Sequence, residues 1–181
     1  MTLTTRRLTL RPFTERDAED LYAYAKDPRV GPVAGWPPHA SVEESREIIR
    51  TVFSAPNVFA VVEREYGAVI GSAGFVGRHR QELPGPDEEL GDALHPDFWG
   101  RGLMTEASRE LIRWGFADLG LNTIWCNHYD GNERSHRVIE KCGFRYQFSQ
   151  KEQVELLHEC RLTHFYALSR EDWENRRAVM L

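Results

Sequence analysis

The residues best suited to chemistry lie in a short stretch with two glycines on either side of an arginine. Gly100, Arg101 and Gly102 directly precede a segment with helical apolar spacing that begins at Leu103. Glycine lets the main chain approach a ligand closely, and the N–H groups at a helix N-terminus favour an anion. The pattern therefore predicts a main-chain cradle for a diphosphate, although a tight strand-to-helix turn would use the same residues.

Two common phosphate-binding motifs do not fit this stretch. A P-loop would need a lysine directly after its second glycine, and none follows Gly102. A dinucleotide-binding fingerprint would need a third glycine where Thr105 stands. The loop alone therefore leaves the bound nucleotide undefined.

Composition limits the class of protein. The 181 residues carry a formal net charge of −5, with 41% hydrophobic and 28% charged residues, which is typical of a soluble globular domain. We expect no nucleic-acid partner, although Arg6, Arg7 and Arg11 cluster. No apolar run long enough for a membrane span and no secretion signal occur, so we expect no membrane partner. Three cysteines without metal-binding spacing favour the cytoplasm and no bound metal.

The apolar patterning predicts an α+β domain that occupies residues 1–181. Seven strands are expected, one that ends near Arg11 and others at 58–63, 68–76, 88–94, 123–128, 144–148 and 162–168. Four helices are expected, after capping boxes at Thr14 and Ser41, from Leu103 to near Gly120, and over 133–142. Residues 31–40 are predicted as a loop because they are rich in Gly and Pro.

The helical spacing also predicts which side chains of two helices are buried. The first helix should place one face on the core, formed by Ala18, Leu21, Tyr22 and Ala25. The helix after the glycine loop should do the same with Leu103, Ala107, Leu111 and Trp114.

Five segments together resemble the GNAT superfamily of acetyl-CoA-dependent N-acetyltransferases, in particular its ribosomal-protein-acetyltransferase (RimJ/RimL) branch. They are residues 6–12, 89–91, 99–107, 132–144 and 169–173. The resemblance implies a GNAT fold, with a central mixed, mostly antiparallel twisted sheet of about seven strands flanked by about four helices. It also implies that the fourth and fifth strands splay apart and that the pantetheine arm of acetyl-CoA lies in the gap.

The resemblance assigns cofactor contacts to three places. Leu94 and His95 would offer main-chain groups to the pantetheine arm. The diphosphate would be wrapped, mainly by main-chain N–H groups, by Gly100, Arg101, Gly102, Leu103, Met104 and Thr105, and the Arg101 side chain would add a charge-assisted contact. Asn132 would hydrogen-bond the arm, with an ordinary helix cap as the alternative explanation for an asparagine there. Arg137 and Lys141 are within reach of the adenosine phosphate or are simply solvated.

Two residues depart from the pattern of the superfamily. Trp99 stands where Gln or Arg is usual, although the RimJ/RimL branch often has Trp there. Met104 stands where Gly or Ala is usual. Because the cradle is formed by the main chain, its proposed role survives both changes.

The resemblance implies less about the catalytic groups. Ser135 would lie near the thioester sulfur and protonate the leaving thiolate, or it is a hydroxyl on the helix surface. The general base is left open among Glu88, Glu89 and Asp92, and strand alternation places Glu89 on the opposite face from the other two. His128 or a water molecule is an alternative base.

The function implied is transfer of an acetyl group to a primary amine, either a protein N-terminus or a small amine, by direct attack in a ternary complex. Residues 35–39 are expected to form a lip over the acceptor pocket, or only a packed turn. A non-catalytic acyl-CoA-binding module is the alternative, and a phosphoryl transferase is more remote. The resemblance is compatible with a homodimer, and no residue pattern decides the oligomeric state.

Overall fold

The computed structural model describes residues 1–179 and is built around one eight-stranded sheet in the order β1-β2-β3-β4-β5-β6-β8-β7. The strands are β1 (Leu3–Thr4), β2 (Leu8–Arg11), β3 (Val58–Glu63), β4 (Val69–Phe75), β5 (Asp87–Leu94), β6 (Thr123–Tyr129), β7 (Arg145–Val154) and β8 (Glu159–Ser169). The α-helices are α1 (Ala18–Ala25), α2 (Gly31–Ala34), α3 (Val42–Thr51), α4 (Leu103–Ala117), α5 (Glu133–Cys142) and α6 (Arg170–Val179). The α+β, mixed-sheet fold is as predicted, with β1, α2 and α6 in addition.

The sheet is antiparallel except between β5 and β6, which correspond to the fourth and fifth predicted strands. These two strands pair in parallel over three positions only, the last of which joins Glu89 to Trp125. Beyond Glu89, β5 continues along β4 as far as Leu94, whereas β6 continues along β8 as far as Tyr129. The predicted splay is therefore confirmed.

The apolar stripe of α4 holds this helix against the sheet. All four predicted core positions are at most 3% exposed, namely Leu103, Ala107, Leu111 and Trp114. The Trp114 ring lies edge-on to Phe59 and stacks on Phe75, with centroid distances of 5.4 and 5.8 Å. Packing of this stripe positions the helix N-terminus beside the gap between β5 and β6.

The start of α1 follows the predicted capping box, with one correction to its buried face. Thr14 and Asp17 form the box around a single 3-10 turn, from which α1 continues. Ala18, Leu21 and Ala25 are buried as predicted, but Tyr24 takes the core position assigned to Tyr22. Tyr24 lies three residues after Leu21 and therefore shares its face of the helix.

Two predicted boundaries were wrong. Residues 31–34 form the short helix α2, which ends at Gly35 with φ +98° and so interrupts the predicted loop. Strands β7 and β8 are much longer than predicted. The far end of their hairpin, which the prediction missed, carries mostly polar, exposed side chains. Such a segment has no apolar alternation from which a strand could be predicted.

Helices long and apolar enough to cross a bilayer do not occur within residues 1–179.

Candidate functional site

The splay between β5 and β6 opens into a cavity of about 1000 Å³. One side is lined by the end of β5, the glycine loop, the start of α4 and the first turns of α5. The other side is lined by residues from α1 to α3 and by the turn between β7 and β8. This volume is at the upper end of the range for small-molecule sites.

The glycine loop has the shape of a main-chain anion site. Gly100 and Gly102 have φ values of +73° and +72°. A Cβ atom at Gly100 would meet nothing within 4 Å, and one at Gly102 would meet only the Arg7 guanidinium at 3.9 Å. The N–H of Glu106 donates to the Gly102 carbonyl, so the three residues between them form the first turn of α4. Their N–H groups have no partner within the helix and point out of its end.

Arg7 and Glu106 hold the loop in place, although no local sequence pattern pairs them. Arg7 Nε lies 2.7 Å from Glu106 Oε2, and its main-chain N–H donates to Oε1 at 2.8 Å. Arg7 Nη1 also donates to the Arg101 carbonyl at 3.0 Å. Burial raises the pKa of the Glu106 carboxyl, but hydrogen bonds from Thr5 and Arg7 outweigh this effect and leave the pKa lowered.

The Arg101 side chain is oriented away from the predicted diphosphate position. Its guanidinium lies over the Phe98 ring, 5.1 Å from the centroid. Arg101 Nη2 is also 3.8 Å from Glu63 Oε1, and this carboxylate is buried. In this arrangement Arg101 contributes to the cradle through its main chain rather than through its charge.

The main-chain groups at the end of β5 point in two directions, some toward β4 and some into the gap between β5 and β6. The N–H of His95 donates to the Ile70 carbonyl on β4 at 2.8 Å, so the sheet already uses the N–H predicted to contact the cofactor. Because successive residues of a strand face opposite neighbours, Leu90, Asp92 and Leu94 direct their main-chain groups into the gap. The Leu94 carbonyl accepts a bond there from Trp99 Nε1 at 2.9 Å.

The start of α5 forms the opposite wall of the gap. Asn132 caps this helix, since its Oδ1 accepts from the Ser135 N–H at 3.3 Å. Both side chains also line the cavity. Arg134, which sequence reasoning missed, lies 3.8 Å above the Trp99 ring and joins α5 to the glycine loop. No local pattern could have paired two residues on different elements.

Glu89 is a structural tie at the point where the strands separate. Only 3% of this residue is exposed. Its Oε1 accepts from Asn127 Nδ2 at 2.9 Å and lies 3.4 Å from Arg78 Nη1, while its Oε2 lies 3.2 Å from Arg80 Nη2. Both oxygens of this carboxylate are therefore occupied by donors from other parts of the fold.

Glu88 and Asp92 lie on the other face of β5 from Glu89. Glu88 Oε2 accepts from the Gly77 N–H at 3.1 Å. Asp92 is an exposed residue that lines the cavity, and desolvation by the surrounding protein raises the pKa of its carboxyl to about 6. Asp92 is therefore largely ionised at pH 7 and still able to take up a proton.

His128 is a second proton-accepting group on the cavity wall. Its Nε2 lies 3.2 Å from Tyr166 Oη, and its ring stacks on His136 with a centroid distance of 4.9 Å. Burial, with the nearby His136 and His164, lowers the pKa of His128, so its imidazole is neutral at pH 7. In residues 1–179 these histidines and the acidic residues form no group of three that could hold a metal ion.

Comparisons with known proteins agree on one family. A family model described as an acetyltransferase (GNAT) domain matches residues 7–145. The chain is 31% identical over 149 residues to uncharacterized N-acetyltransferase p20 of Bacillus licheniformis. The matched region covers 80% of this chain and 82% of that protein.

Solved structures agree on the fold. A GNAT-family acetyltransferase from Bacillus anthracis has a TM-score of 0.83 at 24% identity, with 94% of this chain and 99% of that one covered. Ribosomal-protein-S5-alanine acetyltransferase from Vibrio fischeri has a TM-score of 0.74 at 20% identity, with 96% and 98% covered.

The raised pKa of Asp92 predicts a pH-dependent effect on stability. Its folded-state pKa of about 6 exceeds the ordinary 3.8, so the folded chain loses stability as pH rises from about 3.8 to about 6, and the loss is complete above that range. Asp92→Asn should therefore raise Tm by about 2–4 °C more at pH 8 than at pH 4.5, after allowance for solvent in the cavity. Thermal unfolding at both pH values tests this expectation.

The control for this experiment is Glu82→Gln, at an exposed side chain. The Tm change of this variant should be the same at both pH values. An equally pH-independent change for Asp92→Asn would contradict the inferred burial of the Asp92 charge.

Proposed function

Because the chain belongs to the GNAT family of acetyltransferases, we propose that it transfers an acetyl group from acetyl-CoA to a primary amine by direct attack in a ternary complex. The observation that carries this proposal is the cavity at the splay, where the glycine cradle and the Asp92 carboxylate line the same space. An anion site and a proton acceptor in one cavity are what transfer from a coenzyme A thioester to an ammonium group requires.

The residues along one wall fit acetyl-CoA. The N–H groups of residues 100–105 would hold the diphosphate, with Gly100 and Gly102 leaving the approach open. Leu94 and Asn132 would contact the pantetheine arm, whereas the N–H and the carbonyl of His95 are already bonded to the Ile70 carbonyl and the Phe98 N–H. When bound, acetyl-CoA supplies the thioester carbonyl that the amine attacks.

Asp92 is our choice for the proton acceptor, acting directly or through one water. Its pKa of about 6 lets it take a proton from the ammonium group, whereas the Glu89 oxygens are occupied by Arg78, Arg80 and Asn127. Glu88 and His128 are the alternatives from the same cavity.

Two further groups act on the charges that develop during transfer. The N–H groups that β5 directs into the gap would donate to the carbonyl oxygen as it becomes negative. The Ser135 hydroxyl, at the start of α5, would return a proton to the sulfur, directly or through water.

The finer assignments belong to the same proposal. Membership of the RimJ/RimL branch is supported by the shared fold with the Vibrio fischeri enzyme, whose name specifies a ribosomal-protein alanine as acceptor. A cytoplasmic location is supported by three free cysteines. A homodimer would be compatible with the exposed outer strands.

The cradle predicts a specific loss of coenzyme A binding. Gly102 and Gly67 share a φ of +72° and have comparable space around them, so alanine adds similar backbone strain at each. Only Gly102→Ala places a Cβ at the diphosphate position, and its Kd for coenzyme A should rise roughly tenfold or more, a change of about 1.4 kcal/mol. Isothermal titration calorimetry of both variants makes the comparison.

Gly67→Ala is the matched control. It should bind coenzyme A like the wild type, and its Tm should fall by about as much as the Tm of Gly102→Ala. Wild-type affinity in Gly102→Ala would refute the placement of the diphosphate on this loop.

The choice of base predicts a change in the pH–rate profile. Wild-type kcat/KM should fall as pH decreases through about 6, because protonated Asp92 can no longer accept the proton. Asp92→Asn should lower kcat/KM by about 10²–10⁴-fold and lose that inflection. Free-thiol release with acetyl-CoA and an amine panel measures both effects, and calorimetry checks that coenzyme A still binds.

Glu88→Gln is the control on the same face of β5 and should keep the inflection. An inflection that persists in Asp92→Asn would place the base elsewhere, with His128 the next residue to test. Unaltered coenzyme A binding without thiol release from any amine would favour the non-catalytic module.

A further inference from the structure

Four polar side chains form a hydrogen-bonded chain where β6, β8 and β7 lie side by side. Ser149 on β7 and His164 on β8 are directly opposite each other in the strand register. Ser149 Oγ lies 2.7 Å from His164 Nδ1, and His164 Nε2 lies 3.0 Å from Oδ1 of Asp130, just after β6. The Tyr146 hydroxyl is 2.9 Å from Ser149 Oγ. All four residues lie outside the lining of the cavity.

The Asp130 carboxylate fixes the direction of every hydrogen bond in this chain. An ionised carboxylate can only accept, so His164 Nε2 must carry the proton that it donates. In a neutral imidazole the other nitrogen, Nδ1, then has the free lone pair and accepts from the Ser149 O–H. The Tyr146 O–H is left to donate to Ser149 Oγ. Ser149 is therefore held with its proton directed at a base and with a donor on its oxygen.

This order of groups is that of an activated nucleophile. A hydroxyl is a weak nucleophile until a base takes its proton, and an imidazole oriented by a carboxylate is such a base. The two ring nitrogens of His164 have exchanged roles relative to the serine hydrolase triad, but either nitrogen can serve as the base. The Tyr146 O–H would stabilise the negative charge on Ser149 Oγ as its proton leaves.

The serine is accessible from solvent. Ser149 and His164 are half-buried, whereas Tyr146 and the Asp130 side chain are 56% and 71% exposed. In the part of the chain that the structure describes, β7 is an edge strand of the sheet. Alternate N–H groups along an edge strand lack a strand partner, so they are available to the oxygen of an ester.

We propose that Ser149 is a reactive serine and a covalent modification site for activated acyl esters. The Ser149 oxygen forms a bond to the acyl carbon, and the bond from that carbon to the leaving oxygen breaks. The hydroxyl proton moves to His164 Nδ1 and from there to the leaving group, so the product is an acyl-serine. This reaction needs neither coenzyme A nor an amine and is independent of the proposed acetyl transfer.

A fluorophosphonate probe tests this proposal, because it reacts with serines that a neighbouring base activates. Ser149 Oγ would displace fluoride from phosphorus, and peptide mass spectrometry of the full-length protein should locate the probe on Ser149. p-Nitrophenyl acetate, an activated acyl ester, should leave an acetyl group on the same serine. Ser54, an exposed serine in the turn after α3, is the internal control and should stay unmodified.

Two variants separate an activated serine from one that is merely exposed. His164→Gln removes the base and should lower the rate of labelling about 10²-fold. Asp130→Asn replaces an obligatory acceptor with an amide that can donate to Nε2. The imidazole proton then moves to Nδ1, which can no longer accept from Ser149, and the rate should fall to a similar extent.

His158→Gln and Glu82→Gln are the matched controls, since both side chains are exposed and neither belongs to the hydrogen-bonded chain. They should be labelled at the wild-type rate, and thermal unfolding checks that every variant is folded. Labelling of Ser149 no faster than that of Ser54 would overturn the proposal. Undiminished labelling in folded His164→Gln would also overturn it, because the serine would then react without its base.

Discussion

The short parallel pairing between β5 and β6 is the constraint on which the rest of the molecule depends. It ends at Glu89, beyond which the two strands follow different neighbours. Main-chain groups on the inner edge of β5 then face a gap rather than a partner strand, and polar groups in such a place need a ligand or water. The cavity, the placement of α4 and α5 beside it, and the proposed binding of a pantetheine arm all follow from this separation.

Two carboxylates three residues apart have opposite roles because of their surroundings. Glu89 is held by Arg78, Arg80 and Asn127, which ties β5 to β6 and to the loop before β5. Asp92 lies on the other face, where burial alone raises its pKa to about 6. The contacts of Glu89 stabilise the fold. The Asp92 carboxylate is instead poorly solvated, and proteins commonly place such carboxylates at reactive sites.

The glycine cradle depends on a part of the chain far from it in sequence. Arg7 near β2 binds both Glu106 in α4 and the carbonyl of Arg101 in the loop. A flexible loop in left-handed conformations is thereby fixed by an ion pair that is itself partly buried. Preorganisation of this kind lowers the entropy lost when a ligand binds.

The sequence by itself determined the features that arise from local chemistry. Two glycines before an apolar stripe predicted the start of α4, the Thr14–Asp17 box predicted the start of α1, and Gly143 predicted the end of α5. These succeed because capping, helical spacing and left-handed φ values depend on residues within a few positions of each other.

Only the tertiary structure decided which groups meet across the fold. The choice among Glu88, Glu89 and Asp92 depends on which cations lie within about 4 Å of each carboxylate, and those cations come from other elements. The same holds for the contact of Arg134 with Trp99. Contacts between residues distant in sequence leave no periodic trace along the chain, so they exist only once the sheet has brought those residues together.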